Sequence, residues 1–235
     1  MRHAIVALLL CACASSRDVD VLEQDLDGGC GVERWQVKTG GDPAAVNISP
    51  APTATSIAAL TSLAAPSRLP NNDRIAPTEL TTWQLADVDL LRFKKEGDGD
   101  YHLVLGDGIQ TMIAEIADPA CVSAASPLMA GISAARAQFD AKFSNIPTMS
   151  FANSDETVTL RGVGFFDFKH SQNGVASNGI ELHPVTAICF GRGCAPSPSP
   201  ASQPPAARSG GCATAGDAPL WLALALLLRP RRATA

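Results

Sequence analysis

Three of the four histidines of the chain and two acidic residues are the side chains best suited to chemistry: His102, Asp167, His170, Glu181 and His183. Glu181 and His183 are two residues apart in an apolar stretch, so they would share one face of a β-strand. His102 belongs to a different predicted strand, and His170 lies in the loop before the last one. If these groups converge, imidazole and carboxylate together would hold a divalent metal ion or act as general acid and base.

A structural role is the alternative for the same residues, because the segment 169–179 (KHSQNGVASNG) is long and polar. Its two Asn-Gly pairs favour turns with positive φ. Gln172, Asn178 and His183 would hydrogen-bond this loop to the rest of the domain, since buried backbone groups need partners. The sequence favours this structural role and predicts no catalytic residue. If the region binds a ligand instead, the candidate residues are Tyr101, His102, His170, Asn178, Glu181 and His183.

An acidic stretch at 96–101 (EGDGDY) resembles the start of a Ca²⁺-binding loop. It lacks the continuation that places Glu at the twelfth position of an EF-hand loop. We therefore predict a solvated hairpin turn here. The chain also has no phosphate-binding Gly-rich loop and no G-x-S-x-G motif, so the sequence predicts no metal and no other cofactor.

The alternation of apolar and polar residues predicts a mainly β domain. Five strands are expected, at 81–94, 101–105, 112–116, 157–168 and 180–190. The alternation changes phase between Leu85 and Val88, which predicts a β-bulge. Gly162 and Gly164 predict a bend in the fourth strand, and Pro184 predicts a bulge or a position away from the middle of a sheet.

One longer helix is expected at 127–143, between the third and fourth strands. Apolar residues recur there at helical spacing, at Ile132, Ala135, Phe139 and Phe143. Three charged residues are expected towards the other side of this helix: Arg136, Asp140 and Lys142. Residues 55–65 predict a short N-terminal helix that ends at Pro66.

Three meandering strands, a helix and two more strands form the element order of an OB-fold barrel. The predicted fold is therefore an OB-like, five-stranded β-barrel with a helix between strands 3 and 4. Another small β-barrel or sandwich with an N-terminal helical extension is the alternative.

The first 13 residues predict an export signal, because a basic start precedes an apolar run at 4–10 that is too short to cross a bilayer. Residues 10–13 (LCAC) resemble a bacterial lipobox, which would place a lipid on Cys13. Residues 12–14 also fit the A-x-A site of ordinary signal peptidase. Residues 14–31 are acidic and aperiodic, which is typical of a linker.

The C-terminal segment 212–235 combines a Gly-Gly-Cys start, a short spacer, an apolar run at 218–228 and a basic end. This pattern resembles the myxobacterial-type C-terminal sorting tail (Myxo-CTERM). The resemblance implies processing near Cys212 and display at the cell surface, and a plain tail anchor is the alternative. Residues 193–211 are rich in Pro, Ser and Ala and predict an extended stalk, which places the folded domain at 32–192.

Four of the seven cysteines, Cys30, Cys121, Cys189 and Cys194, lie outside both the signal and the tail. In an exported protein they are expected to form disulfides. We favour the pairs Cys121–Cys189 and Cys30–Cys194, while a local Cys189–Cys194 bridge stays open. A zinc site is disfavoured because the chain has no C-x-x-C pair.

The net charge of −5 argues against a protein that binds nucleic acid or another polyanion. Three stretches, 33–42, 100–107 and 162–185, resemble small exported bacterial proteins of unknown function; the most specific is GFFDFKHSQNGVASNGIELHPV at 164–185. This resemblance brings no established substrate, so it identifies no catalytic residue.

We therefore expect an exported, non-catalytic domain that is anchored in the membrane at the cell surface. Its terminal segments would engage the export and C-terminal sorting machinery. Its expected partner is an extracellular saccharide or an envelope protein, bound on the face of strands 2 and 3. The alternative is a secreted metal-dependent hydrolase or nuclease-like OB enzyme that uses His102, His170, Glu181 and His183.

Overall fold

The computed structural model describes residues 29–197 of the chain. The predicted signal, the sorting tail and most of the linker and stalk lie outside the described residues. Among the residues that the structure describes, no helix is both long and apolar enough to cross a membrane.

The described chain is built on one mixed sheet of six strands. The strands are β1 (Ser49–Thr55), β2 (Thr81–Lys95), β3 (Tyr101–Gly106), β4 (Thr111–Ile116), β5 (Ala152–Phe166) and β6 (Ile180–Phe190). Their order is β1-β2-β3-β4-β6-β5, and β2 also pairs with β5. The pairs β1–β2 and β4–β6 are parallel, and the remaining pairs are antiparallel.

Three α-helices accompany the sheet: α1 (Trp35–Thr39), α2 (Ile57–Thr61) and α3 (Met129–Lys142). The side-chain oxygen of Ser56 caps α2 by accepting a hydrogen bond from the backbone N–H of Ala59 at 3.1 Å. Short 3₁₀ turns occur at Pro43–Asn47, Thr78–Leu80 and Pro119–Cys121.

The prediction of a mainly β domain with a helix between the third and fourth expected strands is confirmed, since these strands are β4 and β5. The predicted number of five strands was wrong, because β1 adds a sixth. β1 has the sequence SPAPTAT, whose two prolines and small residues lack the strand signature. Strand β1 is mostly exposed and lies at the edge of the sheet, where it pairs with β2 alone. Its two prolines lack backbone N–H groups, but an edge strand can leave such positions unpaired at little cost.

The predicted irregularities are present. The register of β2 against β5 shifts between Leu85 and Val88, where Asp87 adopts φ 52°. The backbone N–H of Asp87 donates to Thr159 Oγ1 at 3.1 Å, which holds this bulge in place. The register of β5 against β6 shifts around Gly162 and Gly164, opposite the position of Pro184.

Helix α3 packs on the sheet through the predicted apolar face, where Ile132, Ala135 and Phe139 are fully buried. Phe139 also contacts the ring of Phe93, with 5.2 Å between ring centroids. The expected position of Arg136 on the solvent side was wrong. Its guanidinium is buried, donates to the backbone oxygens of Ile116 and Gly99 at 3.1 and 2.8 Å, and so ties α3 to the sheet.

The alternation of side chains sorts β3, β4 and β6 into two faces. Core residues on these strands include Leu103, Leu105, Met112, Ala114 and Leu182. The intervening positions, which carry the charged residues His102, Glu115, Glu181 and His183, therefore point to the opposite face. We call this opposite face the outer face.

The outer face is covered by two segments. The first is the N-terminal segment, the described residues 29–48 before β1, and the second is the covering loop, residues 167–179 between β5 and β6. Arg34 anchors the N-terminal segment through a fully buried pair with Glu79 at 2.8 Å. Its guanidinium also lies 4.6 Å from the centroid of the Phe165 ring on β5. Gly174 of the loop lies against Val104 of β3, so charged groups beneath these two segments are removed from solvent.

Two disulfides close the domain, Cys30–Cys121 and Cys189–Cys194. The four predicted cysteines are thus all paired, but the favoured pairing was wrong: the local Cys189–Cys194 bridge is formed, and Cys30 pairs with Cys121. The backbone N–H of Cys194 donates to the Gly191 oxygen, so a turn brings Cys194 back to the end of β6. The indole N–H of Trp35 donates to the Cys121 oxygen at 3.3 Å, which brings the N-terminal segment to Cys121. The two bridges indicate an oxidising, extracytoplasmic environment.

Candidate functional site: a buried histidine–carboxylate cluster

Side chains from three neighbouring strands meet on the outer face. His102 of β3 lies directly opposite Glu115 of β4 in the antiparallel register. In the parallel pair β4–β6, Ile113 lies opposite Glu181, which carries His183 towards the same end as Glu115. The strand register therefore assembles this cluster from residues that are far apart in the sequence.

Glu115 joins the two histidines. Its Oε1 atom lies 3.2 Å from His102 Nδ1, and its Oε2 atom lies 2.9 Å from His183 Nδ1. Each histidine also faces a carboxylate of the β2–β3 turn. Glu96 Oε1 lies 3.2 Å from His102 Nδ1, and Asp100 Oδ2 lies 3.3 Å from His183 Nε2.

Glu181 completes the cluster, with its Oε1 atom 3.4 Å from His183 Nδ1. Nearby, Lys38 of α1 pairs with Asp167 at 3.0 Å. Through Lys38, the N-terminal segment places one ammonium group near the carboxylates of Asp167, Glu115 and Glu181.

The cluster is almost completely buried. His102 is 1% exposed and His183 is 0% exposed, and Asp100, Glu115 and Glu181 are buried as well. Five side-chain atoms of the cluster have no properly oriented hydrogen bond to any described residue: Asp100 Oδ2, His102 Nδ1, Glu181 Oε1 and both ring nitrogens of His183. Buried polar atoms without a partner are rare, because each costs about 1–3 kcal/mol.

The remaining ring nitrogen of His102 has a definite partner. His102 Nε2 lies 2.9 Å from the backbone oxygen of Asn173 in the covering loop, so the Nε2–H group donates to it. This bond fixes the ring and leaves Nδ1 directed at Glu96 and Glu115. The position between two carboxylate oxygens is satisfied by a proton on Nδ1 or by a metal cation.

The carboxylates raise the pKa of both histidines. Burial by itself lowers the pKa of His102, but its contacts with Glu115 and Glu96 outweigh burial and raise that pKa to about 10. Burial likewise opposes the charge on His183, and Asp100, Glu115 and Glu181 together raise its pKa well above the usual value.

The acids divide into two classes. Burial disfavours the charge on Glu115, yet the two histidines hold the pKa of this carboxyl well below its usual range. Burial, with Asp167 and Glu115 nearby, raises the pKa of Glu181 to about 7. Burial also raises the pKa of Asp100, although His183 opposes this shift. Glu115 is therefore the permanent anion of the cluster, while Glu181 takes up protons near neutral pH.

Three of the four residues of the predicted enzyme alternative converge: His102, Glu181 and His183. His170 does not join them, because its ring lies in the loop and contacts Glu33 at 3.2 Å near the surface. Asn178 has the predicted structural role. Its side-chain N–H groups donate to the backbone oxygens of Leu60 and Leu63, tying the loop to α2.

Tyr101 points away from the cluster, since it belongs to the core face of β3. Its hydroxyl donates to Asp140 Oδ1 at 2.7 Å, and the Arg136 guanidinium stacks on its ring. Of the six candidate ligand-binding residues, His170 alone is partly exposed, and the other five are buried.

Sequence reasoning missed Glu115, Asp100 and Glu96. Glu115 is the one charged residue in the apolar strand TMIAEI, and that isolated charge was an available signal. The predicted hairpin turn at 96–101 is present, since β2 and β3 pair antiparallel across it, but the expected solvation was wrong at Asp100. Asp100 is fully buried, and its Oδ1 atom accepts from the backbone N–H of Asp118 at 2.7 Å.

No model of a known protein family matches the chain, and no curated protein matches it either.

Proposed function

We propose that this protein is an exported, surface-anchored, non-catalytic domain with an OB-like fold that recognises a saccharide outside the cell. The observation that carries the non-catalytic assignment is the burial of the histidine–carboxylate cluster, whose histidines are at most 1% exposed. A polymeric or bulky substrate would have no contact with these groups. The cluster instead stabilises the covering segments that any ligand would meet.

The OB-like assignment is supported by strand connectivity. Leaving out the edge strand β1, the order is β2-β3-β4-β6-β5, and β2 pairs with β5. An OB-fold barrel has five strands in a Greek-key arrangement with a helix between its third and fourth strands. In this comparison β2–β6 are the five strands and α3 is the helix.

The proposed recognition surface is the exposed part of the covering loop. Phe168 is 38% exposed, and its neighbours Lys169 and His170 carry polar groups at the surface. Aromatic residues are enriched at binding interfaces, and the neighbouring polar groups can hydrogen-bond to a saccharide. Fold analogy places the ligand on the face of the second and third predicted strands, which are β3 and β4. The covering loop lies on that face at His102 and Val104, so the exposed part of the loop is the surface that a ligand would reach.

Saccharide binding is tested with the full-length protein on a panel of bacterial and environmental glycans. Phe168→Ala is expected to abolish binding, whereas Ile109→Ala, at a 91% exposed position of the β3–β4 turn, is expected to leave it unchanged. Equal loss in both variants, or binding that survives Phe168→Ala, contradicts the proposed surface.

Surface display is tested separately by protease treatment of intact cells. Digestion is expected for the wild type and is expected to be lost in Cys212→Ala if the tail directs sorting. Protection of the wild type would contradict the localisation.

A metal-dependent hydrolase remains the second candidate, favoured by the convergence of His102, Glu181 and His183. It requires opening of the covering loop. Hydrolysis of model phosphodiesters or glycosides by the metal-loaded protein, lost in His183→Gln, would establish this function over the first.

A further inference from the structure

We propose that the histidine–carboxylate cluster is a pair of divalent-metal sites that share Glu115 as a bridging carboxylate. The first site consists of Asp100, Glu115 and His183, and the second of Glu96, His102 and Glu115. The ion of best fit is Zn²⁺ or a similar transition metal. This inference goes beyond the proposed function and does not depend on which ligand the surface recognises.

The spacing of the ligand atoms supports two sites. In each group one atom per residue lies within 4.8 Å of the others. Ligand atoms bound to one ion at bond lengths of about 2.0–2.2 Å are separated by about 3–4 Å. At His102, the 3.2 Å contacts from Nδ1 to Glu96 Oε1 and to Glu115 Oε1 match that separation. At His183, an ion bound by Nε2 would keep the 3.3 Å contact with Asp100 Oδ2, and one ligand atom of Glu115 lies within 4.8 Å.

Glu115 is placed to bridge, because its two oxygens serve different histidines. Oε1 faces His102 and Oε2 faces His183. Each site then has one imidazole, one carboxylate of its own and one shared carboxylate. A mixed nitrogen and oxygen set of this kind suits Zn²⁺, Mn²⁺ or Fe²⁺ better than Mg²⁺ or Ca²⁺, which prefer oxygen ligands alone.

The buried atoms without an oriented hydrogen bond suit a bound cation. His102 Nδ1, Asp100 Oδ2 and both nitrogens of the fully buried His183 are directed into the cluster without an oriented hydrogen bond to a described residue. Metal binding would satisfy His102 Nδ1, Asp100 Oδ2 and one ring nitrogen of His183, and the carboxylates that attract a proton attract a doubly charged ion more strongly.

The ring nitrogens that would not bind an ion have the contacts expected of metal-bound histidines. Such histidines usually donate their second N–H group to a carbonyl or a carboxylate. His102 Nε2 donates to the Asn173 oxygen at 2.9 Å. For His183, Glu181 Oε1 lies 3.4 Å from Nδ1, so when Nε2 binds the ion the Nδ1–H group can donate to Glu181, which is not a ligand.

The test uses the full-length protein, stripped with a chelator and titrated with Zn²⁺ in a calorimeter. Measurements in two buffers of different ionisation enthalpy give the number of protons released. We expect two ions per chain, with release of about one proton per histidine, because metal ligation requires neutral imidazole. Elemental analysis of the protein after gel filtration provides an independent count.

Three variants assign the sites. Glu96→Gln, at a partly exposed position of the turn, is expected to fold and to bind one ion. Asp100→Asn is expected to remove the other ion, and Glu115→Gln to weaken both at least 100-fold. Glu33→Gln is the matched control, because it disrupts the surface pair with His170 and should retain two ions.

Two ions per chain, reduced to one by Glu96→Gln and unchanged by Glu33→Gln, support the proposal. One ion or none in the wild type overturns it, as does zinc binding that Glu96→Gln leaves at two ions. If Asp100→Asn or Glu115→Gln fails to fold, the wild-type stoichiometry and the Glu96→Gln result decide the question by themselves.

Discussion

Replacing Glu115 by glutamine removes one buried negative charge and keeps the shape of the side chain. The two contacts that it makes with the histidines, at 3.2 and 2.9 Å, each have a gross attraction of about 5 kcal/mol at an effective dielectric constant of 20. Desolvation of the charges offsets most of this energy. Loss of one partner from a buried ion pair costs about 3–5 kcal/mol, because the other charge is left without compensation.

The histidines limit this cost, because an imidazole can release its proton near neutral pH. We therefore expect Glu115→Gln to lower the free energy of unfolding of the metal-free protein by about 3 kcal/mol at pH 7. The folded pKa of His102 is raised from 6.5 to about 10, so its stabilisation is fully present below pH 6.5 and is lost as the pH rises through 10. The effect of the substitution should accordingly grow as the pH falls from 9 to 6.5.

The measurement is urea unfolding followed by tryptophan fluorescence in the presence of a chelator, at several pH values between 6 and 9. Glu156→Gln is the control, because its partner Lys142 and Glu156 itself are both about one third exposed. An exposed pair contributes about 0–1 kcal/mol. If Glu115→Gln is no more destabilising than Glu156→Gln, or if its effect does not depend on pH, the account of the cluster is refuted.

Three further predictions concern the scaffold and the acids. Replacing Cys30 and Cys121 by alanine should lower the free energy of unfolding by about 4–5 kcal/mol, because this bridge closes a loop of 91 residues. Replacing Cys189 and Cys194, which are only 5 residues apart, should lower it by about 2 kcal/mol. Equal losses in urea unfolding would contradict the chain-entropy argument. Gly164→Ala should destabilise by about 1–3 kcal/mol, because a Cβ atom there would lie 2.6 Å from the Thr78 backbone oxygen; a melting temperature equal to that of the wild type would show that the strands can separate. The folded pKa of Glu181 is raised from 4.5 to about 7, so the metal-free protein should lose about 3 kcal/mol as the pH rises from 4.5 to 7; Glu181→Gln should remove that component, and an unaltered pH profile would argue against the assignment.

Much of the sheet could be predicted because its strands alternate clearly. The strands β3 and β4 carry core residues at every second position, β6 does so at Ile180 and Leu182, and the phase change after Leu85 marked the bulge. Strand β1 could not be predicted in this way. Its side chains are mostly exposed, so no apolar period records its pairing with β2.

The site was predictable only within single elements. Glu181 and His183 share a face because a strand has a period of two. Their convergence with His102 and Glu115 depends on the register between different strands, which local patterns do not encode. The proximity of His170 in sequence was misleading, because the loop carries it to the surface beside Glu33.

The acidic turn shows a different limit. Glycine and aspartate are typical of exposed turns, so composition favoured solvent for residues 96–101. The fold instead buries Asp100 beneath the covering segments, next to His183. The pairing of the cysteines likewise followed from the paths of the termini, which bring residue 30 to residue 121.

The protonation of the cluster is measured by ¹⁵N NMR of the histidine rings in the chelator-treated protein at pH 8. His102 and His183 are both expected to remain doubly protonated at this pH, since carboxylates surround them and the pKa of His102 is about 10. Addition of Zn²⁺ should then displace a proton from each ring and shift one nitrogen of each to the metal-bound range. Neutral rings at pH 8 would contradict the protonated cluster, and rings that do not respond to Zn²⁺ would contradict the paired metal sites.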